Sequence, residues 1–397
     1  MRRAVIIDVA RSPFGRAKPD GVLAGIHPVD LYAQVLQALV KRSGIGPDLV
    51  EDVITGCVLQ VGEQSGNIGR QAALAAGLPE CVPAVTLDRK CGSSQQALDF
   101  AAQGVIAGAY DFVIAGGVEM MSLVPMRANR LGKDNEGPAF HARYPAGLVR
   151  QGISAELMAA RWKLSRKDLD AFALDSHCKA ARGEDSGLTT NAIVPIEIPM
   201  ATGETRFALR DDGIRRTTNL DTLAGLKTIF EDSAMLARFP EISWSVTAGN
   251  SSQLTDGASA VLIAEESAAS RFGLVPRAAI THFAVVGDDP IMMLSAIMPA
   301  TRKILARADL SINQIDAFEV NEAFASVVMA WQKEFGVDPA RVNRYGGAIA
   351  LGHPVGASGG RLTANLLTAL EETGGRFGLQ IMCESGGMAN ATLIERL

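Results

Sequence analysis

The segment Val50–Gly56, VEDVITG, returns in the last third of the chain as Ile315–Asn321, IDAFEVN. A second pair follows at nearly the same offset. The strand ending AGGVEMMS at 115–122 matches the one ending CESGGMANAT at 383–392, which sets Cys383 opposite Ala115. Two correspondences at one long offset point to two copies of a single α/β unit, facing each other with equivalent loops meeting at the junction. Each copy must then bury the same faces, which restricts the fold more than composition does.

Within each copy, short β-branched runs alternate with alanine-rich helical stretches. In the first third, strands are expected at Ala4–Val9, Val53–Gln60, Val82–Leu87 and Tyr110–Ala115. Helices at Pro28–Arg42, Ile68–Ala76 and Ser94–Ala107 separate them. In the last third, strands at Ala278–Val286, Ala317–Val320 and Leu379–Cys383 alternate with helices at Ala300–Ala308, Ala323–Glu334 and Arg361–Glu371. This alternation predicts the α/β class, with helices layered on a central sheet. The stretch between has a different character: loop-rich, with a helix at Glu156–Arg161 and a capping pattern Ser165–Asp168 before Leu169–Ala181. The expected organisation is therefore an N-terminal half of residues 1–120 plus 254–276, an inserted loop domain at 121–253, and a C-terminal half at 277–397. From Met121 to Lys163 the insert carries seven Lys/Arg against three Asp/Glu, a local excess that reads either as solvated surface or as a patch for a phosphate-bearing ligand.

Apolar residues make up 48% of the 397 and charged ones 20%, enough for a large core and too few charges for disorder. A net charge of −5 argues against nucleic acid as the main partner. The run after Arg2 and Arg3 is interrupted by Asp8, so it reads as a first strand rather than a signal peptide, and no stretch is apolar for long enough to span a membrane. The five cysteines, an odd number, widely spaced and with no CxxC pair, argue against a disulfide framework and a zinc site. No metal is expected, and the cytoplasm is the expected compartment. Cys57, Cys81 and Cys178 are expected to be packing residues.

Four places can carry chemistry. Cys91, in DRKCGSSQQ, lies between a strand and a helix; the helix N-terminus and the neighbouring Arg89 and Lys90 favour its thiolate. His353 sits in GGAIALGHPVGASGG at 346–360, where six glycines let backbone approach a ligand. Eleven of the 40 glycines fall between Gly346 and Gly387, so the excess is local to this region. The GASGG stretch matches a serine-hydrolase nucleophile elbow, but no histidine follows His353, so the required order fails. Cys383 is followed by Ser385, Gly386 and Gly387, whose N–H groups could bind an oxyanion. Asn321, in NEAF, stands at a strand-to-helix turn.

Together these motifs make the chain resemble the thiolases, the acetyl-CoA acetyltransferases and 3-ketoacyl-CoA thiolases, from Met1 to Leu397. CGSS after Asp88, TAGNSSQLTDGASA at 247–260, NEAF at 321–324, GGAIALGHPVGASG at 346–359 and CESGGM carry the resemblance. Ketoacyl synthases are similar around the GH loop but lack the last cysteine. The resemblance implies a layered αβαβα sandwich and a CoA-dependent acyltransferase. That enzyme would cleave a 3-ketoacyl-CoA to acetyl-CoA and a shortened acyl-CoA, or run the reverse Claisen condensation. Cys91 would accept the acyl group, His353 would take its proton as a thiolate–imidazolium pair, and Cys383 would be the acid/base at the α-carbon. His353 and a water held by Asn321 would form one oxyanion hole, and the backbone N–H groups of Cys91 and Ser385 the other.

The resemblance further implies Ala248 and Ser252 on the pantetheine arm, Arg215 near the adenine and phosphates, and Met293 and Phe324 along the acyl pocket. CoA and acyl-CoA would be substrates, with no tightly bound cofactor, and the assembly a homodimer or homotetramer without membrane or nucleic-acid partners. Gln151 replaces a common methionine, Leu294-Ser295-Ala296 replaces a glycine-rich step, and Ser385 replaces a glycine. Met235–Trp244 is longer than its family counterpart. These departures predict an acyl preference beyond acetoacetyl-CoA. The alternatives are an acetoacetyl-CoA-specific biosynthetic thiolase, an HMG-type or decarboxylating condensing enzyme, and a non-catalytic acyl-CoA or lipid carrier on the same scaffold.

Overall fold

The computed structural model describes residues 2–200 and 203–397. The N-terminal unit comprises β1 (Ala4–Arg11), β2 (Gly15–Arg16), α1 (Pro28–Ser43), β3 (Asp52–Gly56), α2 (Ile68–Ala75), β4 (Ala84–Leu87), α3 (Ser93–Ala107) and β5 (Phe112–Met120). An insert follows, with α4 (Gly137–Arg143), α5 (Gln151–Arg161), α6 (Arg166–Asp185), the hairpin β6 (Ile196–Pro199) and β7 (Thr205–Ala208), α7 (Leu220–Ala224) and α8 (Ser233–Arg238). The chain then returns through β8 (Thr255–Glu265) and α9 (Glu266–Arg271). The last unit holds β9 (Ala278–Gly287), α10 (Ile297–Ala308), β10 (Ala317–Val320), α11 (Ala325–Phe335), α12 (Ala348–Leu351), α13 (Ser358–Thr373), β11 (Phe377–Glu384) and β12 (Met388–Arg396).

The strands follow the order β4-β3-β5-β8-β1-β9-β12-β11-β10, with β2 paired to β8. Pairing is parallel at both ends, two pairs in β4-β3-β5 and one in β10-β11, and antiparallel toward the centre. The halves join by only two residue pairs of β1 and β9, Val5 with Ala279 and Ile6 with Ala278. Helices α3 and α13 pack on each other and on strands of both halves. They form a middle layer, with α1 outside one half-sheet and α10 outside the other, which gives the five-layer α/β sandwich. Strands covered on both faces bury nearly every side chain, and all residues of β5 and β8 are buried, Glu119, Asp256 and Ser259 included.

Equivalent elements begin at one constant offset: β3 at 52 and β10 at 317, α3 at 93 and α13 at 358, β5 at 112 and β11 at 377. That offset is the one between VEDVITG and IDAFEVN, and it corrects the match of Cys383 to Ala115. In the strand register Cys383 stands opposite Val118. The expected strand stopped at Ala115, whereas β5 runs on to Met120. Gly116 and Gly117 keep it extended where the backbone of Ser259 and Gly356 approaches too closely for any side chain. The strand expected to reach Gln60 ends at Gly56, because the N–H groups of Val58 and Leu59 turn to bind Glu119. Strands β8 and β12 were not expected at all. Ser165 caps α6 with the anticipated capping box, but α5 starts at Gln151 and α10 at Ile297, earlier than expected. Cys57 is buried as expected, whereas Cys81 and Cys178 are exposed and do not pack.

Candidate active site

A tight turn delivers Cys91 to the start of α3. Asp88 accepts the Lys90 N–H at 2.7 Å and pairs with its ammonium at 2.6 Å, while Ser93 Oγ accepts the Arg89 N–H at 2.9 Å. Lys90 takes φ 51°, and Gly92 follows at the helix cap. A Cβ at Gly92 would run into the Glu384 carboxyl, so glycine is required there.

Cys383 lies near the end of β11, and Asn321 just beyond β10, its parallel neighbour; the Asn321 N–H donates to the Ile381 carbonyl at 2.9 Å. His353 follows α12. Its N–H is shared between Gln253 O at 3.2 Å and Thr255 Oγ1 at 3.0 Å, and Gly352 makes the preceding bend at φ 95°, pressed against Thr255. All four side chains are buried, with exposures between 1% and 6%.

The imidazole tautomer follows from its partners. Ser358 Oγ lies 2.6 Å from His353 Nδ1 and 2.9 Å from the Pro354 carbonyl oxygen. A carbonyl only accepts, so the Ser358 hydroxyl donates to Pro354 and Nδ1–H donates to Ser358. Nε2 is then the unprotonated nitrogen, with Asn321 Nδ2 at 3.4 Å. Burial and the nearby Arg361 guanidinium hold the imidazole down to about 3, so it rests neutral. The Oδ1 atom of Asn321 is buried without a protein partner, which suits a bound water.

The N–H groups of Cys91 and Ser385 both face the Cys91 sulfur, and Gln151 Nε2 stands 4.0 Å from it. Ser385 is compatible with this turn because Gly386 and Gly387, not Ser385, take the left-handed conformation at φ 89° and 77°. Burial first, and then charge on the neighbouring Cys91, push the Cys383 thiol up. The expected resting thiolate is corrected: burial, then the Glu384 carboxyl, push the Cys91 thiol up to about 12. Lys90 is engaged by Asp88, and burial outweighs the helix dipole. The resting pair is therefore a neutral thiol and a neutral imidazole.

Two apolar clusters meet here. Met293 and Phe324 share one with Cys383, while Cys91 belongs to another with Leu59, Met121 and Val124. Ser252 N–H donates to Ala323 O at 3.0 Å, and Ser251 bridges to Phe324, which ties the 248–252 segment to the NEAF turn. Ala248 and Arg215 are exposed. Gln253 binds the Gly213 carbonyl at 2.9 Å and so fixes the Arg215 loop to the same wall. The seven basic residues of 121–163 are all exposed.

Residues 4–267 match the thiolase N-terminal domain and residues 274–396 the thiolase C-terminal domain. The chain belongs to the thiolase family. It is 45% identical to the steroid 3-ketoacyl-CoA thiolase FadA6 of Mycobacterium tuberculosis, over all of this chain and 95% of that one. It is 40% identical to a beta-ketoadipyl-CoA thiolase of Acinetobacter baylyi over the full length of both. An acetyl-CoA acetyltransferase of Bacillus anthracis superposes with a TM-score of 0.89 at 35% identity, covering 100% of this chain and 99% of that one. As a thiolase the protein is an acyltransferase that uses CoA for thiolytic cleavage. No helix among the described residues is long and apolar enough to cross a membrane.

Sequence reasoning on this thiolase missed Ser358 as the orienter of His353 and Glu384 beneath the cysteines. In the sequence Ser358 stands out only as the serine of a hydrolase-like elbow. The available signal for Glu384 was an acidic residue ending the otherwise core-forming run LQIMC.

Proposed function

We propose that the protein cleaves 3-ketoacyl-CoA substrates bulkier than acetoacetyl-CoA, through an acyl group carried on Cys91. The observation that carries the catalytic part is the convergence on the Cys91 sulfur of two backbone N–H donors and a second thiol. On substrate binding, His353 Nε2 takes the Cys91 proton, and the thiolate attacks the 3-keto carbon. The tetrahedral oxyanion is held by the N–H groups of Cys91 and Ser385. Collapse breaks the Cα–Cβ bond, and the acetyl-CoA enolate takes the Cys383 proton, its oxygen facing His353 Nε2–H and the water on Asn321. Cys383 then deprotonates incoming CoA, which releases the shortened acyl-CoA. Ala248, Ser252 and Arg215 hold the carrier, and Met293 and Phe324 border the acyl group.

The roof supports the substrate reading. Phe230 packs edge-on against Phe324 with ring centroids 6.0 Å apart, and Met235, Phe239 and Trp244 pack on the same cluster as Met293. Arg238 of α8 binds the carbonyls of Ala146 and Gly147 at 2.8 and 3.0 Å and so ties this roof to the 121–150 loop. An aromatic, apolar cover of this extent suits a large or ring-bearing acyl group, and the relative named for steroid substrates points the same way.

The enzyme is further proposed to be a cytoplasmic homodimer or dimer of dimers. Five free cysteines suit a reducing compartment. Edge strand β4 exposes Val85, and α3, which packs on its neighbour β3, exposes Phe100 and Ile106, apolar surface suited to a second copy. Thiolysis across chain-length and ring-bearing 3-ketoacyl-CoAs tests the preference: maximal kcat/KM is expected on bulky acyl groups, and a sharp optimum at the acetoacetyl substrate overturns it. Cys91→Ser should retain CoA binding and lose the acyl-enzyme detected by mass spectrometry.

A further inference from the structure

Strands β5 and β11 close on buried glutamates at equivalent positions of the two copies, Glu119 and Glu384. Their surroundings are opposite. Glu119 accepts the N–H groups of Val58 at 2.9 Å and Leu59 at 3.2 Å and the Gln64 amide at 2.7 Å, and the Gly356 N–H faces it as well. Neither oxygen of Glu384 has a partner. By the same register, the counterpart of Gly356 is Cys91. The second half thus places its unpartnered carboxyl beneath the nucleophile's own turn, in contact with the Gly92 position.

Unpartnered acceptors lie on two of the elements that flank Glu384. Gln95 Oε1 lies on α3, whose first turn Glu384 touches, and Asn390 Oδ1 lies on β12, which pairs with its strand; Asp99, also on α3, is itself held well above the usual carboxyl range by burial. A buried carboxylate with no donor on either oxygen is poorly solvated, whereas a protonated carboxyl carries no charge to solvate and supplies a donor. Four charged or titratable neighbours besides Cys383 face it: Arg89 draws it toward ionisation, Asp88 and Asp99 oppose this, and Cys91 lies across Gly92.

We propose that Glu384 is a positioning residue of the thiolase reaction: it keeps its proton while the thiols exchange theirs, and its ionisation shuts the alkaline side by opposing thiolate on Cys91 and Cys383. This rests on the thiolase reading of the site. Burial carries the carboxyl up to about 8 against the pull of Arg89. In the other direction, Glu384 is the strongest charge acting on the Cys91 thiol.

Alkylation of Cys91 by iodoacetamide, followed by peptide mass spectrometry, reads the thiolate without requiring thiolysis. In the wild-type enzyme the logarithm of the rate should climb with unit slope below about pH 8 and less steeply above it, as Glu384 ionises. In Glu384→Gln and Glu384→Met, the unit slope should continue. Their rates should match wild type near about pH 6.5 and exceed it roughly three- to tenfold near about pH 9, a thiol shift of up to about one unit. The alkaline fall of kcat should move upward in both. A straight unit slope in the wild type through about pH 10, or the same variant-to-wild-type ratio at both pH values, overturns the proposal. Loss of thiolysis with these alkylation slopes intact would instead count against the catalytic reading.

Discussion

His353 Nδ1 donates to Ser358 Oγ at 2.6 Å, and the Ser358 hydroxyl in turn donates a hydrogen bond to the carbonyl of Pro354, the residue after that histidine. The loop so closes on itself and fixes which imidazole nitrogen faces the chemistry.

Removing that relay should therefore damage turnover more than binding. Ser358→Ala leaves Nδ1–H without its acceptor and frees the tautomer to invert. The expected result is a kcat lowered roughly ten- to a hundredfold with KM for CoA near wild type. Steady-state kinetics check it, and an unchanged kcat would falsify the tautomer argument.

Gly152 holds the roof. A Cβ at this position would enter the Phe230 ring, which packs on Phe324. Gly152→Ala should cost about 1–3 kcal/mol through overpacking and should weaken bulky substrates more than small ones. Thermal melts and KM across the acyl panel measure both; equal KM changes for all acyl sizes would contradict a roof role.

Arg215 is exposed and carries no ion pair among the described residues. Arg215→Ala should raise KM for CoA roughly two- to fivefold, the scale of an exposed ion pair, with less effect at high salt. A pantetheine substrate without the nucleotide should be indifferent to the change. An equal loss on both substrates would remove Arg215 from the phosphate end.

Stability should fall between about pH 6.5 and 8.5. Burial raises the carboxyls of Glu119 to about 7 and of Glu319 and Glu384 to about 8, so the folded chain binds more protons than the unfolded one until those values are passed. Their contribution is full below about 4.5 and lost as pH rises through about 7 to 8. The histidines act oppositely: His353, at about 3, and His177, at about 4, add stability as pH rises, but only up to about 6.5. Above that the carboxyls dominate. A melting temperature that is flat or rising across this window would contradict the buried, proton-holding assignment.

The two-copy architecture was readable from VEDVITG and IDAFEVN because each copy buries the same faces and so keeps the same apolar pattern. Helices α1, α2 and α6 were placed to within a few residues, since Pro28, Ser165 and their apolar spacing are local signals. Strands β8 and β12 escaped because their runs, TDGASAVLIAE and MANATLIER, are rich in alanine and small polar residues. They are strands because neighbours pair with them on both edges.

Residue types and motif spacing along the chain determined the family and named the four residues proposed to carry its chemistry, as those motifs survive in any reading of the string. Only the tertiary structure decided their protonation. Lys90 beside Cys91 suggested a thiolate, but Asp88 holds Lys90, and Glu384, remote in sequence, lies against the turn that carries Cys91. Burial and the arrangement of charges set a pKa, and both come from chain segments far apart in sequence.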